Sequence, residues 1–364
     1  MRNWHVVDGS QEIPTPALLI YPERIKENII RMIRIAGSPD KLRPHVKTHK
    51  MSEIIRLQVA AGITRFKCST IVEAEVTASA GGEDILLAMQ PVGKQIDRFF
   101  MLMNKFPGKN FSTIVDDFEI VREIESKAKS ENRIIDLWVD INNGMNRTGI
   151  TPGKDAFRLY SELSGNPSFN VRGLHVYDGH IHERELIDRH VKCEGDFEPV
   201  RTLISDIIKA GMKNPVIVAG GTPTFPIHAK RENTETSPGT CLLWDSGYEE
   251  HFPDLSFLQA AVVLTRIVSK PGENLICFDL GHKAIAAEMP HPRVKIIGIN
   301  IEKFLNHSEE HLAVQSRDAS KFRCGDLFYG IPWHICPTVP RYPFAYTVRN
   351  NRIDGKWNIE ARDR

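Results

Sequence analysis

The sequence predicts a (β/α)8 barrel followed by a separate β domain. The first observation is an alternation of short β-rich runs with segments whose apolar residues recur at the 3.6-residue period of an amphipathic helix. The second is the span of this alternation, about 240 residues, which is close to the usual size of such a barrel. The third is a change after about residue 256, where closely spaced β-like runs with turn residues between them replace the alternation.

The barrel prediction rests on eight β-rich runs with helical segments between them. The predicted strands are residues 42–46, 65–69, 85–88, 112–115, 134–141, 172–177, 216–219 and 240–243, and the predicted helices are residues 23–36, 71–80, 93–105, 117–129, 153–164 and 186–211. The rival arrangement is an open doubly wound sheet, but the dinucleotide fingerprint GxGxxG is absent from the sequence. We therefore predict a barrel over residues 14–255 and a β domain over residues 256–364, which residues 1–13 join.

The composition suits a large folded chain without a polyanionic partner. Of the 364 residues, 41% are hydrophobic, and 47 Lys and Arg residues stand against 46 Asp and Glu residues, a formal net charge of +1. This balance argues against nucleic acid or an anionic membrane as a partner. The sequence has no apolar run of about 18 residues and no apolar signal core near its first residue, so we expect neither a membrane span nor a secretory signal.

The six cysteines are scattered without a CxxC pair. In a chain of this length, that pattern indicates reduced thiols in a cytoplasmic protein. Free cysteine is among the most buried residue types, so we expect most of the six to be small buried side chains. The residues to which this expectation applies are Cys68, Cys193, Cys241, Cys277 and Cys324.

Polar residues collect where the predicted strands end, which is the edge at which a barrel of this kind carries its catalytic groups. They are Lys47 after strand one, Gln90 after strand three, residues 142–149 after strand five, Tyr177 and His180 after strand six, Gly221 and Thr222 after strand seven, and Gly239 and Thr240 before strand eight. This concentration indicates a cofactor site at that edge.

The glycines after predicted strand seven are suited to an anion. Gly220-Gly221-Thr222 exposes backbone N–H groups and a hydroxyl, and a helix can begin after it. In barrels of this type the loops after strands seven and eight often hold a phosphate, and Gly239-Thr240 is placed to close the same cradle. A Gly-Gly pair alone indicates only a turn, and its position after strand seven is what favours a phosphate site.

Lys47 is the candidate for a reactive amine. A lysine at a strand end is usually a solvated surface residue, whereas a lysine that bonds to a cofactor carbonyl must be accessible as a neutral amine. Pro44 and the flanking His45 and His49 indicate a crowded, fixed segment. The residue types alone leave both interpretations open.

Several segments together resemble one family. They are RPHVKTHK at 43–50, DINNGMNRTG at 140–149, GGTPT at 220–224, SPGT at 237–240 and WHICPTV at 333–339. As a set, and in this order from about residue 14 to the last residue, they resemble the D-threonine aldolase and D-serine dehydratase family. These are fold-type III pyridoxal-phosphate enzymes, related to the N-terminal barrel of alanine racemase.

The resemblance implies a role for each candidate residue. Lys47 would carry the covalent link to pyridoxal 5'-phosphate, Arg147 would lie near the phenolic oxygen of the cofactor, and Tyr177 would lie near its ring nitrogen. The phosphate would be held by Gly221, Thr222, Gly239 and Thr240. The family also implies a homodimer that acts on small D-amino acids.

His334 and Cys336 form a candidate metal-ligand pair. In an extended segment, residues i and i+2 face the same side, so the imidazole and the thiolate could reach one ion. Zinc suits these ligands, although manganese and cobalt are not excluded. From the spacing alone, a buried cysteine beside a hydrogen-bonded histidine is the better explanation of the pair. The family resemblance implies a divalent metal here, zinc or manganese.

The family leaves two reactions open. Removal of the β-hydroxyl proton breaks Cα–Cβ and gives glycine and an aldehyde, whereas removal of the Cα proton by Lys47 expels hydroxide and gives a keto acid and ammonia. His180 resembles the histidine that aldolase members place after strand six, with His182 as the other candidate base. We expect a D-threonine aldolase type of lyase. The alternatives are a D-serine or 3-hydroxyaspartate dehydratase and a non-catalytic pyridoxal-phosphate-binding protein.

Overall fold

A computed structural model describes residues 3–363 of the chain. These residues form two compact units. The barrel unit comprises residues 31–47 and 55–239, and the β unit comprises residues 3–30, 48–54 and 240–363. Each unit has its own sheet, and the division differs from the predicted one because the chain crosses between the units near residues 30, 47 and 54 as well as once near residue 240.

The elements follow one another along the described residues as two lists. Up to residue 236 they are β1 (Ala17–Ile20), α1 (Pro22–Ala36), α2 (Ser52–Ala60), β2 (Arg65–Cys68), α3 (Ile71–Ser79), β3 (Asp84–Leu87), α4 (Lys94–Lys105), β4 (Asn110–Val115), α5 (Phe118–Ser130), β5 (Ile135–Ile141), α6 (Lys154–Ser164), β6 (Phe169–Val176), α7 (Leu186–Lys209), β7 (Val216–Ala219), α8 (Phe225–His228) and β8 (Thr234–Thr236). After residue 236 they are α9 (Ser246–His251), β9 (Ala261–Gly272), β10 (Leu275–Phe278), β11 (Val294–Ile296), β12 (Lys303–His307), β13 (Leu312–Gln315), β14 (Leu327–Pro332), β15 (Phe344–Arg349) and β16 (Arg352–Asn358).

In the barrel unit, the described strands form a seven-stranded parallel sheet in the order β2 to β8. Every strand pairs with the next one along the chain, and all of these pairs are parallel. Parallel strands need long crossover connections, and helices supply most of them here. Strands covered in this way become apolar on both faces, and β3 is buried at all four positions. The α/β barrel class predicted from the alternation is therefore confirmed.

The first predicted strand, 42–46, is not a strand in the structure. It makes only single bridges, Leu42 to Thr236 on β8 and His45 to Lys67 on β2, so that it spans the two edges of the sheet. Pro44 has no N–H to donate, but its carbonyl accepts a hydrogen bond from Lys67 N at 2.9 Å. An irregular segment thus occupies the position of strand one.

The predicted strand 240–243 was also wrong. Residues Thr240–Leu242 form a 3-10 turn, in which the Thr240 carbonyl accepts hydrogen bonds from Leu243 N and Trp244 N. The last strand of the barrel sheet is Thr234–Thr236 instead. A run of four apolar residues has no periodicity that separates strand from helix, and this is why the sequence misled.

Arg43 ties the irregular segment to the sheet. Its guanidinium is fully buried, and it donates to Asp84 Oδ1 at 2.8 Å on β3 and to Glu235 Oε2 at 2.6 Å on β8. Burial raises the pKa of Asp84, but the charges and hydrogen bonds of Arg43 and Arg172 together outweigh it and hold that pKa below its ordinary value. The core of the barrel therefore contains a charged network in which Arg43 is paired with two carboxylates, while its Nη2 has no hydrogen-bond partner among the described residues.

The β unit is built on a nine-stranded sheet with the main order β12-β13-β10-β9-β1-β15-β16, while β14 pairs with β9 and β11. Strand β1 is parallel to β15 and antiparallel to β9. The predicted barrel range began at residue 14, whereas the strand at 17–20 lies in this second sheet. Residues 3–13 also belong to the β unit, as expected, and Val7 and Ile13 are part of its core.

The cysteines only partly follow the expectation. Cys68, Cys193 and Cys241 are buried as predicted, and none of the six is in a disulfide. Cys277 on β10 is half-buried and Cys324 in a turn is exposed, so the expectation was wrong for these two. No helix among residues 3–363 is both long and apolar enough to cross a membrane.

Candidate functional site

Lys47 ends the first segment of the barrel unit. It lies in the 3-10 turn Val46–Thr48, and its side chain is exposed. Its backbone N–H donates to Nδ1 of His45 at 3.3 Å, which fixes the turn. Lys47 therefore lies at the carboxyl end of the irregular segment. This is the edge of the barrel sheet at which the sequence predicted it.

Arg147 and Tyr177 lie together in the barrel unit, and their roles at a cofactor stay predictions. The Arg147 guanidinium is 5.0 Å from the centroid of the Tyr177 ring, and Lys67 Nζ is 5.1 Å from the same centroid. Cations at such distances are attracted to the ring face. A small cleft opens beside them, and its walls are Asp140, Ile141, Asn142, Met145, Arg147, Thr148 and Tyr177.

Two glycines flank the Tyr177 ring. A Cβ on Gly179 would lie 2.4 Å from Cε1 of Tyr177, and a Cβ on Gly221 would lie 3.3 Å from Cε2. The first distance is impossible for real atoms and the second is tight. These glycines therefore let the backbone of the loops after β6 and β7 lie close against the ring.

The loops after β7 and β8 meet through a hydrogen bond from Gly239 N to Thr222 Oγ1 at 3.1 Å. Gly220 has a φ of 77°, and a Cβ there would lie 3.0 Å from His228. Gly221, Thr222 and Gly239 thus lie in connected loops of the barrel unit, whereas Thr240 belongs to the β unit, and their role as a phosphate site stays a prediction. The helix that follows is only the four residues of α8, so the cradle consists of loop backbone and hydroxyl groups.

A buried cluster that the sequence did not reveal supports this cradle. Asp178 accepts hydrogen bonds from Thr224 Oγ1 and from His228 Nε2, both at 2.8 Å, and Cys193 Sγ lies 3.3 Å from the same nitrogen. Asp178, Cys193 and His228 offer ligand atoms within 4.8 Å of one another, the geometry of a possible metal site. However, Arg231 donates to His228 Nδ1, which leaves the imidazole proton on Nε2. We therefore interpret the cluster as a hydrogen-bond network.

A second buried network was also missed. Lys67 Nζ lies 3.3 Å from His175 Nε2, and His175 Nδ1 lies 2.7 Å from Asp140 Oδ1. All three side chains are buried. Burial, and then the charge of Lys47, lowers the pKa of Lys67 to about 7. The single clue in the sequence was a lysine at an inward position of a short barrel strand.

The charge of Lys67 predicts a pH-dependent stability. The folded pKa of about 7 lies below the ordinary value of 10.5, so between these values the unfolded chain binds one more proton and the free energy of unfolding rises with pH. Replacing Lys67 with methionine should remove a slope of about 1.4 kcal/mol per pH unit. Loss of the bond to His175 costs about 1 kcal/mol at every pH and does not affect the slope.

Denaturant unfolding of the cofactor-free protein between pH 6.5 and pH 9.5 measures this slope. Lys94→Met is the matched control, because its side chain is 95% exposed on α4. We expect the control to keep the slope of the unchanged chain. Equal slopes for Lys67→Met and the unchanged chain would show that Lys67 keeps its ordinary pKa.

In the β unit, His334 and Cys336 lie in a turn immediately after β14 and not in the extended segment that was predicted. The structure nevertheless brings their side chains together. Burial lowers the pKa of His334, but the hydrogen bond and charge of Cys336, together with the carboxylates of Asp245 and Glu288, outweigh it and raise that pKa to about 9. The Cys336 sulfur also lies 3.2 Å from Thr48 Oγ1 and 3.4 Å from Thr240 Oγ1.

Two carboxylates set the position of this pair. His334 Nδ1 bonds to Glu288 Oε1 at 2.6 Å, which leaves Nε2 as the nitrogen for a metal. Asp245 is fully buried, and it accepts hydrogen bonds from Ile335 N at 2.9 Å and from Tyr248 N at 2.8 Å. Burial raises the pKa of Asp245 to about 6. A carboxylate-held imidazole next to a thiol fits a zinc or manganese ion.

The two candidate bases differ in their surroundings. His180 is half-buried in the loop after β6, and its Nε2 lies 2.8 Å from Asp196 Oδ2 on α7. His182 is exposed two residues later. Of these two histidines, His180 is therefore the one that combines partial burial with a carboxylate partner among the described residues.

Comparisons with known proteins agree with this geometry. The model of the family described as alanine racemase, N-terminal domain, matches residues 20–246, and a serine dehydratase domain model matches residues 260–348. A 3-hydroxy-D-aspartate aldolase of Paracoccus denitrificans (strain Pd 1222) is 24% identical, with 96% of this chain and 92% of the relative covered. A D-threo-3-hydroxyaspartate dehydratase of Delftia sp. (strain HT23) is 27% identical, with 64% of this chain and 62% of the relative covered.

A solved structure extends the likeness to the whole chain. The crystal structure of a D-threonine aldolase from Filomicrobium marinum superposes with a TM-score of 0.88 at 25% identity, covering 100% of this chain and 99% of that one. The relatives thus include both aldolases and dehydratases. The fold and the overall order of domains are common to them.

Proposed function

The chain belongs to the alanine racemase N-terminal domain family, and from that premise we propose that it is a pyridoxal-phosphate-dependent lyase of the aldolase type. It would cleave D-3-hydroxy amino acids into glycine and an aldehyde. The observation that carries the aldolase assignment is His180, a half-buried imidazole with one nitrogen bonded to a carboxylate, in the loop that follows Tyr177. Such a group is suited to take a proton from a hydroxyl.

The barrel unit has the residues that pyridoxal phosphate needs. Lys47 supplies an exposed amine at the end of its segment, and Arg147 and Tyr177 offer a cation and a flat ring. The loops after β7 and β8 would hold the phosphate once the N–H groups of Gly221 and Gly239, which now donate to Thr224 and Thr222, donate to it instead. When bound, the cofactor supplies an electron sink for the bonding pair released at Cα.

The β unit has the residues for a divalent ion, zinc or manganese. Cys336 and His334 Nε2 would hold it, and Glu288 would keep the imidazole in the correct orientation. An ion held there supplies Lewis-acid polarisation of a bound oxygen. Two protein ligands leave coordination positions for water and for substrate.

The base acts on the β-hydroxyl. His180 takes the hydroxyl proton, the O–H electron pair becomes the second bond of the new carbonyl, and the pair of the broken Cα–Cβ bond stays with Cα. Glycine is complete when Cα takes up one proton, which balances the proton that His180 received. Arg147 and Lys67 place positive charge against the Tyr177 ring on the same side of the barrel unit. Lys47 would hold the cofactor until the amine of the substrate takes its place.

A dehydratase is the second candidate, and the match of residues 260–348 to a serine dehydratase domain supports it. In that reaction Lys47 would remove the Cα proton, and hydroxide would leave from Cβ. The products would be a keto acid and ammonia. His180 would then have no proton to take from the hydroxyl.

Product analysis separates the two reactions. Protein reconstituted with pyridoxal phosphate and zinc or manganese is incubated with D-threonine, with L-threonine as the matched control. We expect glycine and acetaldehyde in equal amounts from D-threonine and neither from L-threonine. D-serine and D-3-hydroxyaspartate extend the panel, because they differ only in the group on Cβ. Ammonia and 2-oxobutyrate in place of glycine would assign the protein to the dehydratases.

A further inference from the structure

We propose that Asp196 is a positioning residue that fixes the proton of His180 on Nε2 and so makes Nδ1 the atom that takes the substrate proton. The inference deepens the proposed function and rests on it, because it assumes that His180 is the base. It concerns a residue of α7 that no sequence motif singled out. The geometry around the imidazole carries the argument.

The two ring nitrogens of His180 are in different situations. Nε2 lies 2.8 Å from Asp196 Oδ2, so a carboxylate that only accepts hydrogen bonds requires the proton on this nitrogen. Nδ1 is buried and has no hydrogen-bond partner within the described part of the chain. An unmet acceptor of this kind costs about 1–3 kcal/mol. A substrate hydroxyl that displaces the atoms now covering Nδ1 and donates to it would recover that energy.

Asp196 is itself held in place. Its second oxygen, Oδ1, accepts a hydrogen bond from Lys192 Nζ at 2.9 Å, one helical turn earlier on α7. The Lys192 pair is an ordinary i,i+4 contact on a helix surface and contributes little to stability. It does, however, direct the other oxygen of Asp196 toward the imidazole. The carboxylate therefore has one oxygen for the helix and one for His180.

The loop after β5 leaves room for this pair at Gly144. A Cβ on Gly144 would lie 2.9 Å from His180 Nε2 and 3.7 Å from Asp196 Oδ2, so any larger residue would press on the hydrogen bond. Gly144 also has a φ of 124°, which residues with a side chain rarely adopt. Because the same loop carries Arg147, the pair lies against the loop that supplies a candidate cofactor residue.

The chemistry follows from this arrangement. When the β-hydroxyl proton moves to Nδ1, the imidazole becomes positively charged while Nε2–H stays bonded to Asp196. The carboxylate stabilises that charge, and it prevents the tautomer in which Nδ1 already carries a proton and cannot accept another. In the reverse step Nδ1 returns the proton to the aldehyde oxygen. Asp196 therefore acts through His180 and does not touch the substrate.

Kinetics of Asp196→Asn test the role. The amide has nearly the same size, but its NH2 group can donate to Nε2 and so favours the wrong tautomer. We expect kcat for D-threonine cleavage to fall by about 10²–10³-fold with KM within about twofold, because general base catalysis contributes about 10²–10⁴-fold. Asp196→Glu keeps a carboxylate and should recover at least a tenth of the lost activity. Asp206→Asn, the same change on an exposed residue of α7, should leave kcat within about twofold.

Nitrogen NMR of protein labelled at histidine provides a readout that is independent of turnover. The His180 signals, assigned by their loss in His180→Gln, should show the proton on Nε2 in the unchanged protein and on Nδ1 in Asp196→Asn. Unchanged kcat in Asp196→Asn, or a proton on Nδ1 in the unchanged protein, would overturn the inference. If the products are ammonia and 2-oxobutyrate, the proposed function fails while the NMR result still decides whether Asp196 fixes the tautomer.

Discussion

Replacing Lys47 with alanine is expected to lower turnover by about 10³-fold or more, because no other amine in the barrel unit is placed to substitute for it. Lys67 is the other lysine considered as a substitute, but its side chain is buried and bonded to His175. The variant should also lack the absorbance band of a lysine-bound cofactor near roughly 420 nm. The fold should be unaffected, because the Lys47 side chain is exposed.

Lys50→Ala is the matched control for this variant. Lys50 lies three residues later in the same stretch of sequence, and its ammonium group bonds to the Ala361 carbonyl at 3.2 Å. We expect Lys50→Ala to keep both the absorbance band and at least half of the activity. Absorption spectra after reconstitution and initial rates with D-threonine measure the two effects. A Lys47→Ala protein with a normal band would remove Lys47 from its role.

Removing the metal should have the second largest effect. We expect a chelator to lower turnover by about 10²-fold or more, and zinc or manganese to restore it, because the ion would polarise the oxygen on which the base acts. Cys336→Ala should lose activity to the same degree and should not respond to added metal. Glu288→Gln should weaken metal binding by about 10- to 100-fold, since it removes the acceptor of the His334 Nδ1 proton.

Metal content and rates measured together test this expectation. Cys324→Ala is the matched control, because Cys324 is an exposed cysteine of the same β unit. It should bind one ion per chain as the unchanged protein does. Full activity after complete removal of metal would exclude His334 and Cys336 from the reaction. Metal that stays bound in Cys336→Ala but is lost in Cys193→Ala would instead favour the cluster of Asp178, Cys193 and His228.

Much of the barrel could be predicted, because its central strands are short apolar runs between amphipathic helices. The predicted 216–219 run coincides with β7, and 65–69, 85–88, 112–115 and 134–141 differ from β2 to β5 by one or two residues at an end. The two failures are at the point where the barrel closes. There Pro44 interrupts one strand, and the chain turns at Thr240–Leu242 as it leaves the barrel unit. Neither the interruption at Pro44 nor the turn at Thr240–Leu242 follows a residue periodicity, so the sequence pattern did not predict them.

The site shows a similar division. Motifs of contiguous residues, such as GGT at 220–222 and His334-x-Cys336, pointed to side chains that the fold brings together. The partners of those residues were not predictable. Asp196 is 16 positions from His180, and Lys67 is 108 positions from His175. Such pairs form only when separate elements fold together, as α7 does with the loop after β6 and β2 does with β6. No spacing within the sequence indicates them.

The most direct test of the central claim is to identify the lysine that holds the cofactor. The reconstituted protein is reduced with borohydride, digested and mapped by mass spectrometry. The structure predicts a single pyridoxyl group, on the peptide that contains Lys47. Modification of Lys67 or Lys50, or no modified peptide after full reconstitution, would contradict it.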